Sequence, residues 1–167
     1  MDEQTTVLAR RLRAEMDREA ALFAQLGCEV ERLRDSFQAR EWTAGLAVAE
    51  RMQEFSGRIE EAEAGREAAF RLLRENLGRP GEAAFSAVLP RLPDDCRAEL
   101  EESWRDLRTA VVRLKTASGR LRYSAETLAG LLTRMLEAVF PQRKGKIYSR
   151  RGTATAPTGS LLVDRQL

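Results

Sequence analysis

The apolar residues of this chain fall into three long runs at helical spacing. In residues 3–38, Leu12, Met16, Ala20, Phe23, Leu26, Val30, Leu33 and Phe37 follow one another at steps of three or four. That spacing keeps one face of a helix apolar along its whole length. Residues 41–77 repeat the pattern with Trp42, Leu46, Ala49, Met52, Phe55, Ile59, Ala62, Ala69, Leu73 and Leu77, interrupted by Arg66. An arginine there is expected to lay its aliphatic stem along the seam and hold its guanidinium at the edge. A turn is expected about Arg40 and Glu41, although neither Gly nor Pro marks it. One unbroken helix over both runs would have no partner to cover its seam.

Punctuation follows Leu77: Gly78-Arg79-Pro80-Gly81, a short apolar segment from Ala83 to Leu89, then Pro90 and Pro93. Asp94-Asp95 reads as a helix start, with carboxylates where the positive end of the helix dipole lies. The third run is the longest: Leu100, Trp104, Leu107, Val111, Leu114, Ser118, Leu121, Ala125, Leu128, Leu132, Met135 and Val139. Their steps alternate between four and three, which predicts a heptad seam with left-handed supercoiled packing. From Asp95 to Phe140 that helix is roughly 70 Å long at 1.5 Å per residue, and Pro141 ends it. The expected fold is all-α. Residues 1–140 form an elongated, coiled-coil-like antiparallel bundle of three long helices plus a short one, and residues 141–167 form a flexible basic tail.

Composition changes the picture only where charge is divided. The chain has 28 Lys and Arg against 26 Asp and Glu, net +2. Residues 141–167 hold Arg143, Lys144, Lys146, Arg150, Arg151 and Arg165 against Asp164 alone, net +5, so the preceding residues carry 22 against 25, net −3. The basic charge belongs to the tail. A nucleic-acid protein would need a basic stripe on the folded part and aromatics to stack bases, so no nucleic-acid partner is expected. The tail has too little apolar surface to offset its own ordering, about 1–2 kcal/mol per residue. It can still hold Tyr148 and Leu161-Leu162-Val163 as separated anchors that order on contact with a partner.

Candidate chemistry is sparse. Histidine is absent, which removes the commonest general base and the commonest metal ligand. Cys28 and Cys96 have no histidine to activate them, lie within helical patterning, and are expected to be buried or half-buried thiols. Glu60, Glu61, Glu63, Glu101 and Glu102 lie off the apolar faces, as a solvated helix surface does. Gly78 to Glu82 lacks the lysine of a phosphate loop and reads as a turn. No catalytic, metal or cofactor site is expected. No run approaches the roughly 18–20 apolar residues of a membrane span, and the charged opening does not read as a signal peptide. A cytoplasmic chain with reduced thiols is expected.

A binding surface is visible in the third run. The positions flanking its seam are charged at Lys115 and Arg122, then become apolar at Ala129, Leu131 and Leu136, with Phe140 beyond. The stripe therefore widens from about Leu128. It either receives a partner helix or covers Phe37 and Trp42 within the bundle.

Several features resemble the FlgN-type flagellar export chaperones. They are the long third helix with Trp104 early and Gly119 further on, the post-helical Y-x-x-x-G of Tyr148 to Gly152, Arg34-Asp35, and the stretch RIEEAEAGREAAFRLL from Arg58 to Leu73. Where that family carries asparagines in mid-helix, this chain reads Lys115-Thr116-Ala117-Ser118-Gly119. The resemblance implies a cytoplasmic escort, without catalysis, that delivers hook–filament junction proteins to the flagellar type III export gate. It implies that Leu128, Leu131, Leu132, Met135, Leu136, Val139 and Phe140 meet the secreted partner and that Tyr148 contacts the export apparatus. A self-associating coiled-coil adaptor, homodimeric through the third-helix seam, is the alternative.

Overall fold

The computed structural model describes residues 3–78 and 84–139, and the backbone of residues 147–148 and 154–155. The chain forms an all-α bundle of α1 (Glu3–Ala39), α2 (Trp42–Asn76), a one-turn α3 (Phe85–Val88) continued by a 3-10 turn (Leu89–Arg91), and α4 (Asp94–Val139). It divides into two compact units, Met1–Ala125 and Glu126–Leu167, with the boundary inside α4. Two further elements fall in the second unit. β1 (Ile147–Tyr148) and β2 (Ala154–Thr155) pair antiparallel, Ile147 opposite Thr155 and Tyr148 opposite Ala154. This short ladder lies in the segment expected to carry no regular structure, and at two residues per strand it is marginal by itself.

The turn between α1 and α2 needs no glycine because Arg40 adopts the left-handed conformation itself, at φ 61°. Its N–H donates to Phe37 O (3.3 Å) and the Glu41 N–H donates to Ser36 O (2.9 Å). This is the paired closure that ends helices at a left-handed residue. Gly78, at φ 68°, ends α2 with its N–H on Glu75 O. Pro93 opens α4, accepting the Arg97 N–H at 2.8 Å. Asp94 and Asp95 occupy the first turn, where the helix dipole favours them.

Polar pairs fix the helix directions. Asn76 Nδ2 donates to Thr5 Oγ1 (2.8 Å), Arg66 Nε to Glu19 Oε2 (2.6 Å) and Arg51 Nη2 to Glu29 Oε2 (2.9 Å), so α2 runs antiparallel to α1. Arg13 meets Glu99 at 2.8 Å and Arg120 meets Glu31 at 3.6 Å, so α4 runs parallel to α1. The core lies where the start of α1, the end of α2 and the start of α4 meet under α3. There Leu12, Met16, Leu73, Val88, Leu92, Leu100 and Leu107 are buried together. Each large apolar side chain buried this way contributes about 1.5–3 kcal/mol. Phe70, Phe85 and Trp104 continue it as a row of tilted rings, 6.0 and 5.0 Å between centroids. Further along, Met52, Phe55, Ile59, Leu114 and Leu121 are only half-buried.

The expected seams need three corrections. In α4 the buried residues are Cys96, Leu100, Ser103, Leu107, Ala110 and Ala117, while Val111 and Ser118 are exposed. The stripe keeps its alternating steps but turns by one residue, so small side chains face α1. In α2, Gly45 and Val48 are buried while Trp42 and Leu46 are exposed. A Cβ at Gly45 would meet Leu33, Ser36 and Phe37, each at 3.6 Å, so the helices lie close here. Arg66 does not snorkel at an edge. It reaches inward to Glu19, one of two buried α1 carboxylates, the other being Glu29.

Candidate partner-binding surface

The last fourteen described residues of α4, 126–139, read ETLAGLLTRMLEAV. Ala, Leu, Met, Glu and Arg are strong helix formers; Gly130 opposes them most, and Thr127, Thr133 and Val139 more weakly. The Thr133 hydroxyl donates to Ala129 O at 3.0 Å and so is satisfied within the helix. The apolar positions recur at i, i+3, i+4, i+7, i+8 and i+11, which places them on one face.

That face is open. Leu128 is half-buried, and Leu131, Leu132, Met135, Leu136 and Val139 are 44, 50, 51, 59 and 68% exposed. Isolated exposed leucines are ordinary; here five large apolar side chains lie exposed along one face within nine residues. Upstream on the same flank, Lys115 and Arg122 are also exposed, so the change from charged to apolar happens within two turns of helix. Sequence patterning thus brings six of the expected partner-binding residues onto one surface. Phe140, Leu161, Leu162 and Val163 lie outside the described residues, and of Tyr148 the structure describes the backbone in β1.

Among the described residues, the first unit carries open grooves, two of which flank α4. One, about 850 Å³, runs between α1 and α4 with Phe23, Gly27, Cys28, Ala110, Ala117 and Arg113 on its walls. Sequence reading had no seam there, because it placed Val111 and Ser118 inward instead of Ala110 and Ala117. The other, about 740 Å³, lies beside Leu89, Trp104, Arg108 and Val112. Cys28 is exposed, which corrects the expectation of a covered thiol, whereas Cys96 is buried in the core. The end of α1 is densely charged. Arg34 donates to Asp35 and pairs with Glu31, and the hydrogen bond to Asp35 holds its guanidinium above its ordinary value.

Among the described residues, no three His, Cys, Asp or Glu side chains converge as a metal ion requires. Glu60, Glu61, Glu63, Glu101 and Glu102 are all exposed. No helix among the described residues is long and apolar enough to cross a membrane. No protein-family profile, curated protein or solved structure matches this chain.

Proposed function

We propose that this chain is a cytoplasmic export chaperone of the flagellar type III system, which binds hook–filament junction proteins and delivers them to the export gate. The observation that carries the reading is the open apolar face of Leu131, Leu132, Met135, Leu136 and Val139 at the end of α4. It has the anchor spacing with which one amphipathic helix lies along another. An escort needs such a surface. It must cover a partner's aggregation-prone helix while that partner awaits secretion, and it needs no catalytic group to do so. The +5 tail with Tyr148 and Leu161-Leu162-Val163 supplies a second set of contacts for the gate.

Calorimetric titration with the terminal helices of hook–filament junction proteins tests the reading. Leu132→Glu combined with Leu136→Glu should weaken binding at least tenfold, since buried anchors dominate such interfaces. The melting temperature should stay unchanged, because both side chains are exposed. For the tail, Leu161→Ala with Leu162→Ala should weaken gate binding more than Arg150→Ala with Arg151→Ala; the reverse order, lost in salt, would make the tail an electrostatic tether. Undiminished helix binding by the Leu132/Leu136 variant would overturn the proposal.

A further inference from the structure

The open face of α4 fits itself. With Leu128 and Met135 in the positions that continue the seven-residue spacing of buried Leu100 and Leu107 and half-buried Leu114 and Leu121, the central apolar residues are Leu128, Leu132, Met135 and Val139. On one flank lie Ala129 and Leu136, on the other Leu131 and Ala138. Every flank position is uncharged, and the charges of this stretch, Glu126, Arg134 and Glu137, lie off the face. Charged flanks normally select a different partner helix or a given orientation. Here no charge opposes pairing of like with like.

We infer that in the free protein this face is covered by a second copy of the same chain, the two α4 ends crossing antiparallel about a two-fold axis between Thr133 and Arg134. In that arrangement Leu132 meets Met135 of the other copy and Leu128 meets Val139. The flanks alternate in size. Leu131 of one helix lies beside Ala138 of the other, and Leu136 beside Ala129, so large side chains sit against small ones, as close packing requires. A parallel pair would set Leu131 beside Leu136 and lose that fit. Six apolar side chains from each copy, five of them 44–68% exposed, bring together on the order of 1,000 Å² of buried surface, at the low end for specific interfaces. The dimer is therefore weak enough for a partner helix to displace. That displacement rests on the proposed chaperone role; the dimer itself does not.

Sedimentation equilibrium of the full chain from 1 to 200 μM should show a monomer–dimer equilibrium in the range of roughly 1–50 μM, as so small an area supports. Leu132→Glu with Leu136→Glu should weaken it at least tenfold while circular dichroism stays that of the parent. Orientation is read from nitroxide labels in a Cys28→Ser background, the buried Cys96 being left in place. Labels at Thr133→Cys lie close to the axis, whereas labels at Glu126→Cys, on the same side of the helix as Thr133, should be about 20 Å further apart along the helix axes, from 1.5 Å of rise per residue on each of two opposed helices. A monomer throughout the range, a dimer indifferent to the Leu132/Leu136 changes, or equal label separations at both sites would each overturn the inference. A chain that dimerises but binds no junction-protein helix leaves the inference standing and removes the chaperone reading. A monomer that binds the helix does the reverse.

Discussion

Replacing Arg66 with Met should cost far more stability than replacing its partner Glu19 with Met, although both changes break the same 2.6 Å pair. The Glu19 side chain is 5% exposed and that of Arg66 is 20% exposed. Without Arg66, the Glu19 carboxylate is left in the α1–α2 interface with almost no water. Breaking a buried pair in this way costs about 3–5 kcal/mol, and the partial exposure of Arg66 puts this case near 3. Without Glu19, the Arg66 guanidinium keeps Glu63 at 3.8 Å and some solvent, so about 1 kcal/mol is lost. The double variant restores a continuous apolar seam and should return to within about 1 kcal/mol of the parent, since well-packed apolar replacements of buried pairs are close to neutral. A loss of 3 kcal/mol corresponds to about 6–12 °C in melting temperature for a chain of this size. Urea titrations followed by circular dichroism, extrapolated to water, give all four corners of the cycle. If Arg66→Met costs under about 1 kcal/mol, or no more than Glu19→Met, the carboxylate is not held by this arginine and the reasoning fails.

Arg40→Gly should stabilise the protein by about 0.5–1 kcal/mol in the same titration, because the left-handed conformation costs a side-chain-bearing residue about 1–2 kcal/mol and glycine returns part of that as unfolded-state entropy. Aspartate placed along α4 should lower the melting temperature steeply at Leu107, less at half-buried Leu121 and hardly at exposed Leu132; equal losses at all three would refute the burial gradient. In the native protein Cys28 should react with a disulfide reagent at once, and Cys96 only after unfolding.

The helices were legible because Leu12, Met16, Val30, Leu33, Leu73, Leu100 and Leu107 hold helical spacing and occupy the core. The exact face of α4 was not. Hydropathy favours Trp104 and Val111 as seam residues, but closely approaching helices select the smaller Ser103 and Ala110, and a search for large apolar residues passes over these. The buried acids were hidden for a different reason. Glu19 and Glu29 read as surface residues until Arg66 and Arg51, 47 and 22 positions away, are brought against them. Within one strand of sequence that pairing has no signature apart from Arg66 standing in an apolar series. The turn at Arg40 was expected only because one unbroken helix would leave its seam uncovered; no residue type marks it, since Arg40 itself takes the left-handed conformation. The widening of the apolar stripe at the end of α4 was readable, since it consists of a change from Lys115 and Arg122 to Ala129 and Leu136 at fixed spacing; that it is left open was not, because spacing alone does not say what lies against a face.

The tight turn at Arg40 also sets an order of assembly. The α1–α2 pairs lie at sequence separations that grow with distance from the turn: 22 for Glu29–Arg51, 47 for Glu19–Arg66 and 71 for Thr5–Asn76. Closing the first as a small loop and extending outward means each later closure starts from helices already aligned, so its loop entropy is slight. Such a hairpin zips from one end, the behaviour of fast-folding, low-contact-order chains. During synthesis it can be complete once Asn76 has left the ribosome, while α4 is still to be made. Until Leu100 and Leu107 arrive, Leu12, Met16 and Leu73 stay open to water, and the slow step becomes the docking of α4 onto a finished hairpin. Substitutions near Arg40 should therefore change the folding rate, and those at Leu107 the unfolding rate.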